Sequence, residues 1–575
     1  VRIGIHVGDI VHSKGDIHGD AVNVASHIER LAGPGEICMT QQVYDHVRNK
    51  IDFRVDFLGK NTLKNVEFPV DVYKVPQVAE RALPASSTSL TKHRIAVLPL
   101  ANISPDPKDE YFADGMTEEL ISSISKIADL KVISRTSAMK YKNSNKTVGE
   151  IARELNVGVA LEGSVRKAGN KLRINVQLID VQADEHLWSQ SYDRELQDIF
   201  AIQSEIAEKV AEALQVHLLA NQRRKIEKKA TESIEAYTLY LKGLHYRGEG
   251  TEEGFKKAIQ YFEESLQKDP GFALAYAGLA DCHARLAEDG VIRSDVGYPK
   301  AKEYATKALK LDNALAEAHA TLGAILEDYY WDLTGAEKEF KRALELNPNY
   351  GKVCHSYGAH LACMGRLDEA ISEIERAREL NPLALEVNDC AAVIFNCVND
   401  YDKALEACQL MLKVDENYFP AYQDLAEVYM QKSMFDEAIK TLQKALTISK
   451  ASTVKGRHIA VAATVKGRLG YAYALAGRRA DAQRLLHELQ EASKTKYVTP
   501  VAMALINCGL GNKNRALQLL ERAYRERAGG IHSLKVRPLW ASLRSAPRFK
   551  RLLVDIGLEG KASVRSTTPA LSSLK

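Results

Sequence analysis

Near the start of the chain, Gly15-Asp16-Ile17-His18-Gly19-Asp20 places carboxylates and an imidazole between an apolar run, Val1 to Val11, and a helical stretch from Ala21. The run alternates in part, so the segment reads as a strand, a tight loop and a helix start. A Gly- and Asp-rich turn of this kind serves either a nucleotide or ordinary turn and N-cap chemistry, and the turn alone does not separate the two. His12 and His18 flank the loop. No second pair of ligands converges on them, so they read as solvated loop histidines rather than a metal site. A second set, Asp114, Glu118, Glu119 and Arg135, could be assembled into a hydrolytic site. Acids near the start of a helix are explained as well by the helix dipole, and that is the reading adopted here.

The longer string GDIHGDAVNVASHIERLAGPGEICMT, with LGKNTLKNVEFPVDVYKV from Leu58 to Val75, closely resembles the late part of the class III nucleotidyl cyclase domain. The resemblance implies adenylate or guanylate cyclase chemistry, in which the ribose 3′-hydroxyl of ATP or GTP attacks the α-phosphorus and pyrophosphate leaves. Two metal ions, Mg or Mn, about 4 Å apart would stabilise the attacking and leaving oxygens. It further implies that Asp16 contacts the base and Asn23 orients the ribose. The family's transition-state arginine falls on His27, which is a departure, because histidine is shorter and mostly neutral at pH 7 whereas arginine is a permanently charged fork. In the family the two metal-binding aspartates and a base-selecting lysine precede the matched segment. The expectation is therefore a truncated domain that holds no metal and is inactive by itself. The intact parent would be a homodimer, with the metal half of each site on one protomer and Asn23 on the other. The rival reading is a non-catalytic scaffold that keeps a degenerate cyclase fold for dimerisation; His27 favours the rival, Asp16 and Asn23 the enzyme.

The elements that must carry these residues belong to a long chain. A length of 575 residues points to about three or four domains. A net charge of +3 argues against a dedicated nucleic-acid binder. The eight cysteines are scattered without a CxxC pair or zinc spacing and read as reduced thiols, which points to a cytoplasmic protein. No apolar run reaches the roughly 18 residues that would cross a bilayer, and no signal peptide opens the sequence.

Pro76 to Lys92, rich in Ala, Pro, Ser and Thr, reads as a linker. Beyond it, a strand at Arg94 to Leu100, a helix from Met116, a strand at Leu130 to Ser134, a helix over 147–155 and alternating stretches around Gly169 and Ala183 imply an α/β sandwich. The strings AVLPLANISPDPKDEYFADGMTEELISSIS and HLWSQSYDRELQDIFAIQSEIA resemble the TolB-type amino-terminal domain, which implies a fold and no activity. This unit has no P-loop, GxSxG or HExxH. Residues 216–232 read as a basic linker in which Gln222-Arg223-Arg224-Lys225, Lys228 and Lys229 form a solvated helix end.

From Ser233 the chain repeats. Asp269-Pro270, Asp312-Asn313, Asn347-Pro348, Asn381-Pro382 and Asp415-Glu416 close successive units, the later ones at intervals of 35, 34 and 34 residues, the tetratricopeptide period. Small residues at Gly358, Ala370 and Ala377 fall where two antiparallel helices approach closely. About eight hairpins are expected over 233–558, forming a self-supporting solenoid whose groove accepts a protein or peptide ligand. Tyr329, Tyr330, Trp331, His355 and Tyr357 could line that groove, although most aromatics at such spacings pack within repeats. Residues 559–575 read as a disordered tail. The expected fold class is multidomain: an α+β cyclase-domain remnant over 1–75, an α/β TolB-like domain over 93–215 and an all-α tetratricopeptide solenoid. Cleavage is expected first in 76–92 and near 222–231.

Overall fold

A computed structural model describes residues 2–8, 11–13, 16–32, 37–47, 56–61, 63, 66, 69–75, 93–451 and 457–559. The expected linker 76–92 and nearly all of the expected tail lie outside them. The chain divides into two compact units, residues 1–89 and 90–575.

In the first unit, strands β1 (Ile3–Ile5), β4 (Ile37–Thr40), β5 (Asp56–Asn61) and β6 (Val70–Val75) form a sheet in the order β1-β4-β6-β5. β1 runs parallel to β4, and the other pairs are antiparallel. A separate hairpin joins β2 (Val11–Ser13) to β3 (Asp16–His18). It leads into α1 (Asp20–Glu29), and α2 (Gln41–Val47) follows β4. Ala21, Val24 and Ile28 recur at helical spacing and are buried, the last two packing with Cys38, Leu63 and Val72. Gly4 makes that packing possible, since a Cβ there would sit 2.2 Å from the Ala25 carbonyl oxygen.

The second unit opens with a mixed sheet. β7 (Arg94–Val97) lies between β9 (Lys131–Val132) and β10 (Val159–Ala168), parallel to both. β10, β11 (Lys171–Asp180) and β12 (Glu185–Glu195) form an antiparallel meander, and β8 (Ala101–Asn102) adds to β10. Helices α3 (Glu110–Ser125) and α6 (Ile199–Ala213) cover one face, with a core of Ile95, Val97, Leu161, Ile124 and Ile206. On the other face α5 (Val148–Leu155) packs Ile151, Ala152 and Leu155 against Ala96 and Ala160. A capping box at Thr147 and Glu150 starts α5. The short α4 (Arg135–Ala138) follows β9.

Residues 216–232 differ from the expected linker. They contain α7 (Ala220–Glu227), whose Ile226 is buried in the same core, and Lys225 Nζ donates to the Leu346 carbonyl at 3.1 Å. Arg223, Arg224, Lys228 and Lys229 are exposed, as expected of a solvated helix end, and Lys228 also pairs with Asp312 at 2.7 Å.

Eight helical hairpins follow among the described residues. They are α8 (Ile234–Gly248) with α9 (Glu252–Lys268), α10 (Ala273–Glu288) with α11 (Ser294–Leu311), α12 (Ala316–Ile325) with α13 (Leu333–Leu346) and α14 (Gly351–Met364) with α15 (Leu367–Leu380). Then come α16 (Leu385–Cys397) with α17 (Tyr401–Val414), α18 (Phe419–Gln431) with α19 (Phe435–Ala451), α20 (Arg457–Leu475) with α21 (Arg479–Ala492) and α22 (Pro500–Gly509) with α23 (Lys513–Arg525). The last helix among the described residues is α24 (Pro547–Ile556). The small residues act as expected: a Cβ on Gly243 or Gly278 would meet the Phe262 ring at 2.3 or 2.7 Å, and one on Gly323 would meet Phe340 at 2.7 Å. Residues Asp269, Asp312, Asn347 and Asp415, each just after a second helix, accept from the backbone N–H two positions on, at 2.9, 3.1, 3.1 and 2.9 Å, which turns the chain into the next unit.

The expected independence of the solenoid is not what the structure shows. The α/β block and the first hairpins share one core, from Ile95 and Phe112 through Tyr237, Leu241 and Phe262 to Ala318. Asn349 Nδ2 donates to the carbonyls of Ser125, Ile127 and Leu130, at 3.2, 3.1 and 2.5 Å. Ser134 N donates to the Leu380 carbonyl at 2.9 Å and Arg94 to that of Glu379 at 2.9 Å. The turns between repeats are docking points for the block.

Candidate functional site

Two regions carry chemistry-bearing groups. In the first unit, Gly19 takes φ +145 and its carbonyl accepts from Val22 N and Asn23 N at 3.1 and 3.2 Å, so the β2–β3 hairpin feeds directly into α1. Asn23 and His27, four residues apart, share a face of α1 turned away from the buried stripe; Asn23 is exposed and His27 half-buried. Asp16 lies on β3, paired with Ser13, and its side chain is outside the described residues. His12 and His18 fall on strands rather than in a loop, opposite Ile17 and Val11, and their side chains are likewise outside them.

In the second unit, α3 begins at Glu110, so Asp114, Glu118 and Glu119 lie beyond its first turn and the helix dipole does not account for them. Ion pairs do. Asp114, 4 % exposed, accepts from Lys142 at 2.5 Å and from His245 at 2.7 Å. Burial alone would raise the Asp114 carboxyl, but His245 and Lys142 outweigh it and hold it below the usual carboxylate range. Glu118 contacts Arg135 Nε at 3.1 Å and bonds Arg247, and Arg247 lies 3.6 Å from Asp281, which takes Lys352 Nζ at 2.6 Å. Burial works against the Asp281 charge as well, yet Lys352 and Arg247 hold its carboxyl well below the usual range. These acids therefore form no hydrolytic constellation; they join the block to α8 and α10.

This network borders a cavity of about 1040 Å³ between α3 and the inner helices of the solenoid. Its wall includes Glu118, Glu119, Arg135, Tyr240, Arg247, Asp281, Glu317, Tyr350, His355 and Asn381. Burial, together with the neighbouring charges of Glu118 and Glu317 and opposed by Lys126, pushes the Glu119 carboxyl up to about 7. Burial lowers the His355 imidazole despite Glu386 and Asp389. The cavity was not legible in the sequence, because its two sides are more than 100 residues apart. One trace of it was present: Gly115 and Gly248 are where block and solenoid nearly touch, a Cβ on the first falling 2.8 Å from Leu241 and on the second 2.2 Å from the Arg135 guanidinium.

Of the expected groove residues, only His355 and neighbours such as Tyr350 face this cavity. Tyr329 stacks on Tyr298 at 5.2 Å, Trp331 lies 5.0 Å from Tyr524 and 5.8 Å from His532, and Tyr357 packs on Phe340. Farther along, the segment after α23 fills the inner surface. Arg537 bonds Glu427 at 2.9 Å, Lys535 Nζ donates to the Met364 and Leu558 carbonyls at 2.7 and 2.9 Å, and Ile531, Leu534 and Trp540 are buried.

Comparison with known proteins agrees with this division. Residues 1–75 match the family model described as adenylate and guanylate cyclase catalytic domain. Residues 398–450 match the tetratricopeptide repeat. Residues 91–209 match the HilA/YgeH-like transcriptional regulator, second domain, rather than a model with the expected TolB description. Among curated proteins, "Putative adenylate cyclase 3" of Rhizobium meliloti is 37% identical over 291 residues, 49% of this chain and 49% of that protein. "Transcriptional regulator HilA" of Salmonella typhimurium is 24% identical over 294 residues, 51% of each. The chain thus spans about half the length of these relatives. A solved tetratricopeptide repeat protein from Parabacteroides merdae aligns at 14% identity and a TM-score of 0.34, covering 48% of this chain and 100% of its own. Among the described residues no helix is long and apolar enough to cross a membrane.

Proposed function

We propose that the chain is part of a cytoplasmic, homodimeric signalling protein of the class III cyclase type, forming a cyclic nucleotide from ATP or GTP. The observation that carries this reading is the placement of Asn23 and His27 on one accessible face of α1, within a segment that matches the cyclase catalytic domain. Asn23 would orient the ribose, Asp16 the base, and His27 would stand at the transition-state position. The family's Mg or Mn would supply charge stabilisation when bound. The segment matched to the catalytic domain carries Asp16, Asn23 and His27, and this chain is assigned the substrate-orienting side of the reaction.

Residues 90–559 are read as the regulatory module, with the fold of a TolB-type domain joined to a repeat solenoid. What supports this is that the α/β block matches the second domain of a transcriptional-regulator family, outside the segment matched to the cyclase catalytic domain. The rival, a scaffold whose degenerate cyclase fold only dimerises, is separated by assay. The protein of residues 1–575, given ATP or GTP with Mn²⁺, is expected to form no cyclic nucleotide; product above background would sink the assignment. In a protein that also supplies the metal carboxylates, Asn23→Ala is expected to lower turnover by about 10²–10³-fold and His27→Arg to raise it by about 10–100-fold. If neither changes the rate while cyclic nucleotide is still made, the roles assigned to these residues are wrong; if no cyclic nucleotide is made at all, the scaffold reading stands.

A further inference from the structure

The cleft of about 1040 Å³ between α3 and the inner helices of the solenoid is partly open to solvent and bordered by the ion pairs described above, a concave surface of the kind that takes a ligand. The lining states what kind. Its cations are already matched: Arg135 and Arg247 to Glu118, Lys352 to Asp281, Lys228 to Asp312, and Arg285 to Glu288 at 2.8 Å. Lys126 and Lys225 donate to main-chain carbonyls, at 3.4 and 3.1 Å. Glu119 on α3 and Glu317 on α12 are left over, without an ion-pair partner among the described residues and flanked by the rings of Tyr240 and Tyr350. Burial is the main reason the Glu119 carboxyl is raised to about 7; Glu118 and Glu317 add to it and Lys126 opposes it.

A second, independent feature points the same way. In four other repeats the residue just after the second helix accepts from the N–H two positions on. At Asn381 that N–H, of Leu383, is taken by Ser137 Oγ of the α/β block at 3.2 Å. Asn381 Oδ1 is left without a partner, on a residue 5 % exposed that lines the cavity. A buried carbonyl acceptor costs about 1–3 kcal/mol when unsatisfied, so it favours a ligand that donates.

We propose that the cavity binds an amine-bearing organic cation, its ammonium held between Glu119 and Glu317 against the tyrosine rings and a further donor reaching Asn381 Oδ1. Tyrosine faces attract cations, which adds to the carboxylates' pull. The site lies within the regulatory module, and its occupancy does not depend on the cyclase reading.

Isothermal titration of the purified full chain with spermidine and with tyramine tests this, against 4-hydroxyphenylacetate as an anion of tyramine's size. At least one amine is expected to bind with a Kd below about 1 mM, and the anion at least about tenfold more weakly. Glu119→Gln with Glu317→Gln is expected to weaken amine binding by about tenfold or more while the protein stays folded, as judged by a cooperative melt. Ala324→Phe, which puts a ring into the cavity, is expected to do the same and carries the test if the double variant fails to fold. No heat from either amine up to about 10 mM, equal affinity for the anion, or unchanged affinity in the folded variants would overturn the proposal.

Discussion

Glu118 is the residue on which the join between block and solenoid turns, because its carboxylate pairs with both Arg135 and Arg247. Its side chain is 17 % exposed and those of the arginines 21 % and 25 %, so the charges are only partly hydrated. Glu118→Ala would leave two guanidinium groups facing each other, and is expected to cost about 2–4 kcal/mol, read as a fall in the denaturant midpoint at constant slope. Replacing Arg135 as well should recover part of that loss, and a strictly additive double variant would show that the pair does not interact. Glu119 gives a pH signature of opposite sign to the usual carboxylate. Its folded value of about 7 lies above its ordinary 4.5, so the native state holds the proton more tightly. Stability is full below about pH 4.5, falls as pH rises towards 7 and is flat beyond. Glu119→Gln is therefore expected to be neutral at pH 4.5 and stabilising by about 1–2 kcal/mol at pH 8, the figure being reduced for water within the cavity. A variant equally stabilised at both values would mean that Glu119 is not held protonated by its surroundings.

At the scale of elements, the sequence was most legible where a local rule suffices. The spacing of Asp312, Asn347, Asn381 and Asp415 set the helix ends, since each lies one residue past α11, α13, α15 or α17. Gly358, Ala370 and Ala377 were recognisable as a close approach because only small side chains let two helices meet, and Ala370 and Ala377 are indeed fully buried. Ala370→Trp is expected to lower stability by about 1–3 kcal/mol or more by overpacking, measured by thermal melting, and Gly243→Ala to do likewise through the Phe262 ring. An unchanged melt for either would contradict the packing of its hairpin. The alternating stretch around Gly169 was legible as antiparallel strands because β10 and β11 form a local hairpin, paired from Val159–Asp180 to Ala168–Lys171. The segment 216–232 offered no such local pattern and was taken for a linker. Its composition is polar, and only Ile226 and the docking of Lys225 on Leu346 make it part of the core. In the cyclase-like segment the residues Asn23 and His27 were legible from a motif on one helix, whereas the cavity needed helices brought together from distant parts of the chain.

For the whole molecule these joins change what kind of object the solenoid is. A free-standing repeat array has a stability that is a sum of nearest-neighbour terms, and it tolerates removal of anything outside the array. Here the first hairpins bury Tyr237, Leu241, Leu244 and Phe262 in a core shared with Ile95, Phe112 and Met116 of the α/β block. Three main-chain carbonyls of the block also depend on one side chain, Asn349. Cutting at residue 232 would strip that core of most of its buried residues. The excised 233–559 fragment is accordingly expected to melt at a markedly lower temperature than residues 90–559, and with lower cooperativity. The longer piece should unfold in one transition by both far-ultraviolet circular dichroism and tryptophan fluorescence, since Trp188 packs against the block's core and Trp331 and Trp540 belong to the solenoid. Asn349→Ala removes the donor to Ser125, Ile127 and Leu130 and should lower that single transition by about 1–3 kcal/mol for both probes together. Two separated transitions, or a shift in the solenoid tryptophans alone, would mean that the block and the solenoid fold independently and that the cavity between them is not held rigid.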